Sequence, residues 1–92
     1  MVDLLFHLSA DEALRGLEAD RSATETLRRI WDGLDALASD PGSRRVRKHS
    51  FQAGPWGFTV QDHTTDWLIL WEAGPGAGEV TVIYIGPGFG GR

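Results

Sequence analysis

Apolar positions change their spacing partway along this chain. Between residues 22 and 40 they recur at steps of three and four: Leu27, Ile30, Trp31, Leu34, Leu37 and Ala38 make one broad stripe, which predicts an amphipathic helix. Its other face carries Arg28, Arg29, Asp32 and Asp35, a charge pattern suited to solvent, with Arg28 and Asp32 four apart and able to pair. Asp40-Pro41-Gly42 stops the helix, because proline disfavours a helical conformation at the residue before it. Beyond residue 43 the step falls to two. Residues 43–52 alternate weakly with polar groups on both sides, which predicts an edge strand. After Gly54-Pro55, the residues Trp56, Phe58 and Val60 alternate with Gly57, Thr59 and Gln61 in a second strand. Residues 62–66 are polar and predict a hairpin tip. Trp67, Ile69 and Trp71 oppose Leu68 and Leu70, so this strand is apolar on both faces and belongs in the middle of a sheet. A glycine-rich loop over residues 74–78 leads to an apolar, β-branched strand at residues 80–85.

The N-terminal stretch completes the pattern. Residues 2–8 (VDLLFHL) predict a strand in which His7 has a structural role. Ser9-Ala10-Asp11-Glu12 and Ser22-Ala23-Thr24-Glu25 each have the spacing of a capping box, so they predict the starts of two helices, the first running to about Ala19 and weakened by Gly16. The expected order is β-α-α-β-β-β-β, an α+β fold in which a helical hairpin covers one face of a mostly antiparallel sheet. Residues 1–92 form one domain, and residues 87–92, rich in glycine, are expected to be a flexible tail. Trp56, Trp67 and Trp71 are expected in the core, with Trp31 packing against them.

Composition narrows the class of function. At 41% hydrophobic and 24% charged, the chain has the make-up of a globular domain rather than a disordered one. It has no apolar run long enough to cross a membrane and no signal-peptide pattern at its start, so a cytoplasmic location without membrane contact is expected. With no cysteine and three scattered histidines, neither a metal site nor a cofactor is expected. The net charge of -4 hides an asymmetry: residues 1–40 hold nine acids and four bases, whereas Arg44, Arg45, Arg47 and Lys48 fall within five positions. That basic stripe is the strongest candidate for an interaction surface, able to meet phosphate or an acidic protein segment, although charge on an edge strand also guards against aggregation.

The opening LLFHLSADEALRGLEAD, the helix ending in LASDPGSRRVRK, and the strands WGFTV, DWLILWE and EVTVIYIG together resemble the RelE/ParE superfamily of bacterial toxin-antitoxin toxins. The resemblance spans roughly residues 2–88 and rests on the order of the pieces. It implies a strand, a helical hairpin and a meander. For the ribonuclease branch it further implies basic residues along the sheet that orient a 2'-hydroxyl and neutralise phosphate. This chain departs from that pattern at each such position: Gly57 and Thr59 stand where basic residues are expected, Leu68 where an arginine is, and Gly86-Pro87-Gly88 where a basic motif follows the last strand.

Two readings remain open. In the first, the protein is a toxin-like component that acts mainly by binding protein, with the ribonuclease residues largely missing; Leu68 and Leu70 with the basic stripe form the binding surface, and the partner is an antitoxin or another protein. The ParE branch, which resembles the ribonucleases in fold but acts on DNA gyrase, is compatible with it. In the second, a ribosome-dependent mRNA endoribonuclease rebuilds its site from the stripe at residues 44–49, with Arg47, Lys48, His49 and Tyr84 as candidate catalytic groups. His49 and His63 suit proton transfer near neutral pH, but a solitary histidine is more commonly plain surface.

Overall fold

A computed structural model describes residues 1–50, 54–62 and 65–88. The elements are β1 (Asp3–Phe6), α1 (Leu8–Ala19), a 3-10 turn (Arg21–Ala23), α2 (Thr24–Ser39), β2 (His49–Ser50), β3 (Trp56–Asp62), β4 (Thr65–Ala73) and β5 (Glu79–Pro87). This is the expected β-α-α-β-β-β-β order. The five strands form one sheet in the order β1-β5-β4-β3-β2. The meander is antiparallel throughout, and β1 lies parallel to β5, as a strand must when a helical hairpin carries the chain across the sheet and the return strand pairs beside it.

Both helices cover one face. The stripe predicted on α2 buries Ile30, Leu34 and Leu37, which meet Phe58, Ile69, Trp71, Val80, Val82 and Ile85 from the sheet and Ala10 and Leu14 from α1. Gly33 lets α2 approach β3 closely: a Cβ there would stand 3.0 Å from the Phe58 ring and 3.1 Å from Val60 Cγ2. The charged face of α2 forms the ion pairs its spacing suggests, Arg28–Asp32 at 3.5 Å and Arg28–Glu25 at 2.5 Å. Trp31 meets Phe6 edge to face, with ring centroids 6.1 Å apart, rather than the sheet tryptophans.

Several local expectations are corrected. Neither capping box forms. Ser9 lies inside α1 and its hydroxyl donates to the Ile83 carbonyl, tying the helix start to β5, while α1 begins after His7 without a side-chain cap. His7 is therefore an exposed residue beyond the end of β1 and has no core role. At the second site Asp20 accepts from both the amide and the hydroxyl of Ser22, a local turn that outcompetes the box.

The basic stripe is not a strand. Only His49 and Ser50 pair with β3, opposite Gly57 and Trp56, and residues 43–48 form turns and a bend. The reason is Val46. Its side chain is fully buried and its carbonyl accepts a 2.8 Å bond from the Trp71 indole, so the chain bends inward to fill the core instead of extending along the sheet edge. The tail is tighter at its start than expected: Pro87 still belongs to β5, and the Gly88 amide donates to the Asp66 carbonyl at 2.7 Å. His63 and residues 89–92 lie outside the described residues.

Candidate functional site

The sheet face away from the helices is built by register. Gly57, Leu70 and Tyr84 lie side by side across β3, β4 and β5, and Thr59, Leu68 and Gly86 form the next row. Alternation turns their neighbours Phe58, Ile69 and Ile85 into the core, so these six residues share the opposite face. A bulge in β5 between the pairs Leu70–Tyr84 and Trp71–Val82 keeps both Tyr84 outward and Val82 inward. Leu68 is only 6% exposed, with Gly88 beside it, whereas Leu70 is half-buried and Tyr84 is 36% exposed. The Tyr84 ring lies across Gly86, where any Cβ would collide with its hydroxyl, and that hydroxyl is 3.4 Å from the Pro87 carbonyl. The charges beside these rows on the same face are acidic, Asp66 and Glu72, and no Lys or Arg occurs between Lys48 and Arg92.

The stripe residues divide among different environments. Arg47 is committed to packing: its guanidinium lies 4.8 Å from the Trp56 ring centre and 5.6 Å from that of Trp71, and its Nε donates to the Pro41 carbonyl at 2.7 Å. Arg44 is exposed. Arg45 and Lys48 line a cleft of about 520 Å³ between α2 and the outer edge of β3, together with Arg29, Asp32, Phe58, Thr59, Val60 and Gln61. Phe58 and Val60 belong to the helix side of the sheet and Thr59 to its open face, so the cleft lies at the edge of β3, with β4 between it and Tyr84 on β5. Of the candidate catalytic groups, Arg47 and Lys48 lie by the β2–β3 edge, whereas Tyr84 is on β5. His49 is placed only through its backbone pairing with Gly57.

Arg29 and Asp32 are the cleft residues that sequence spacing assigned to plain solvated surface. Arg29 donates to Glu25 at 3.1 Å and reaches the Gln61 carbonyl at 3.4 Å, so it links α2 to the end of β3. Next to it Thr26 donates to Asp62, which also lies 3.9 Å from Arg29. The hydrogen bond from Arg28 holds the Glu25 carboxyl below its ordinary value; desolvation opposes it, and the Arg28 charge and Arg29 give smaller aid. Asp20 is lowered by its bonds from Ser22. Among the described residues no group of three potential ligands could hold a metal ion, and no helix is long and apolar enough to cross a membrane.

Comparison with solved structures defines the fold. The chain superposes on a chain from the crystal structure of the intact E. coli RelBE toxin-antitoxin complex with a TM-score of 0.67, covering 94% of this chain and 95% of that one at 14% identity. The fold is RelE-like. No family model and no curated relative matches the chain by sequence.

Proposed function

We propose that this protein is a toxin-like component of a toxin-antitoxin system that acts mainly by binding protein, and that the open sheet face around Leu70 and Tyr84 takes an antitoxin or other protein segment. The observation that carries this reading is the charge of that face. Stabilising a cleaved phosphodiester needs cations at the scissile phosphate, and here the nearby charges are the acids Asp66 and Glu72. An apolar face with an exposed tyrosine suits a protein contact, since such residues gain most from desolvation. The RelE-like fold, shared with a chain of a complex described as a toxin-antitoxin pair, supports the toxin-like assignment.

The test has two arms. Purified protein added to ribosomes programmed with mRNA is expected to leave the message intact; cleavage that disappears in Arg45→Ala/Lys48→Ala would establish the endoribonuclease reading instead. Co-expressed with the product of the neighbouring gene, the protein is expected to co-purify with it, and Leu70→Glu is expected to abolish that capture. Capture that persists in Leu70→Glu removes the open face from the proposal.

A further inference from the structure

The cleft beside β3 has a structure that the open face does not explain. The pairing of β2 stops at His49 opposite Gly57, so along residues 58–62 the outer edge of β3 has no strand partner among the described residues. Unpaired strand edges accept further strands, because their amides and carbonyls are already aligned. Four consecutive residues of this edge, Phe58, Thr59, Val60 and Gln61, line the cleft. Its charged groups are Arg29, Arg45, Lys48 and Asp32, so cations are in excess, and the one acid is already paired with Arg28 at 3.5 Å. Arg45 and Lys48 have no ion pair among the described residues, whereas Arg29 is shared with Glu25. Lys48 and Arg29 stand at opposite ends of the edge: Lys48 directly precedes the residue paired with Gly57, and Arg29 reaches Gln61.

We infer that this cleft seats an extended acidic segment of a partner protein, which adds as a strand to the outer edge of β3 while Arg45, Lys48 and Arg29 pair with its carboxylates. The inference rests on the reading of this protein as a protein binder and names a second contact surface for it. An added strand would turn every second side chain toward α2, so the segment needs its acids in alternation. The cleft offers poor footing for nucleic acid, since base stacking needs an exposed ring: Phe58 is buried and the Trp56 ring is covered by Arg47. The charge distribution agrees, because a basic cleft on an otherwise acidic molecule steers an acidic chain to one place.

The probe is a short synthetic peptide alternating glutamate with valine, its binding to the full chain read by fluorescence anisotropy at about 50 and 300 mM salt. Binding is expected, weaker at the higher salt, and lowered roughly tenfold or more by Arg45→Glu/Lys48→Glu. Arg44→Glu, outside the cleft, is expected to change it by less than about twofold. Methylating alternate backbone amides of the peptide should abolish binding, because strand addition needs those donors. Circular dichroism confirms that each variant is folded. Four outcomes overturn the inference: no binding, equal binding of the peptide with lysine in place of glutamate, indifference to Arg45→Glu/Lys48→Glu, or tighter binding of a short single-stranded RNA by the same residues. Capture of the neighbouring-gene product through Leu70 is scored separately, so loss of either surface is distinguishable from loss of the other.

Discussion

Arg47 shows how a basic residue can lose its availability to a ligand through packing. Its guanidinium covers two tryptophans and is anchored to the Pro41 carbonyl, so it staples the segment after α2 onto the sheet. An exposed cation over an aromatic face contributes about 0.5–1 kcal/mol, and the hydrogen bond adds up to about 1 kcal/mol. Arg47→Ala is therefore expected to lower stability by roughly 1–2 kcal/mol in urea unfolding. Arg44→Ala, exposed and without a partner among the described residues, is expected to change it by less than about 0.5 kcal/mol. Equal effects from the two substitutions would remove Arg47 from its structural role. The same inward bend explains why alternation misled at this stretch. Arg45, Arg47 and His49 alternate as a strand would, but the buried Val46 and the Trp71 bond to its carbonyl determine the path.

At the level of elements, two glycines of the helices make opposite predictions. Gly16 in α1 has nothing within 4 Å of where a Cβ would stand, so Gly16→Ala is expected to raise stability by up to about 1 kcal/mol through helix propensity alone. Gly33 in α2 is clamped against Phe58 and Val60. There the same substitution should lower stability by about 1–3 kcal/mol, because overpacking a helix–sheet contact outweighs propensity. Thermal unfolding of the two variants side by side reads the sign directly, and a Gly33→Ala protein as stable as the parent would mean that α2 can lift from β3 freely. The α2 stripe was legible because burial of Ile30, Leu34 and Leu37 follows the helical period closely. The capping boxes were not, because Ser9 and Ser22 found better partners in Ile83 and Asp20, one of them 74 residues away.

For the molecule as a whole, one core joins both halves of the chain, with residues from both helices, the connecting turn and the sheet meeting around Trp71. Unfolding followed by tryptophan fluorescence and by far-ultraviolet circular dichroism is expected to coincide in a single transition. An early loss of helix signal would indicate two cores. Acid should weaken the fold in a defined direction. Asp20 and Glu25 both have carboxyls depressed below their ordinary values by native hydrogen bonds, from Ser22 and Arg28 respectively. Their contribution is fully present above the unfolded carboxylate range and is lost as the pH falls through the lower folded values. Nuclear magnetic resonance titration of Ser22→Ala should show the Asp20 carboxyl returning part of the way toward its ordinary value, since the amide bond remains; an unchanged titration would mean that the Ser22 hydroxyl does not hold it.

Hydrophobic spacing by itself determined the element order, the helix-covered face of the sheet, and residues of α2, β3 and β4 that enter the core, because periods of 3.6 and 2 are local properties of the backbone; in β5 the bulge broke the period of two. The family resemblance, rather than the spacing, singled out the uncharged positions Gly57, Thr59 and Leu68. The tertiary structure alone decided which of these become neighbours, since the pairing of β3, β4 and β5 brings together residues far apart in sequence. It likewise divided the basic stripe, sending Arg47 onto the tryptophans and Arg45 and Lys48 into a cleft with Arg29. The reason is that a turn of the chain is shaped by what it must bury. Val46 had to reach the core, and each flanking cation took the position that this burial left to it.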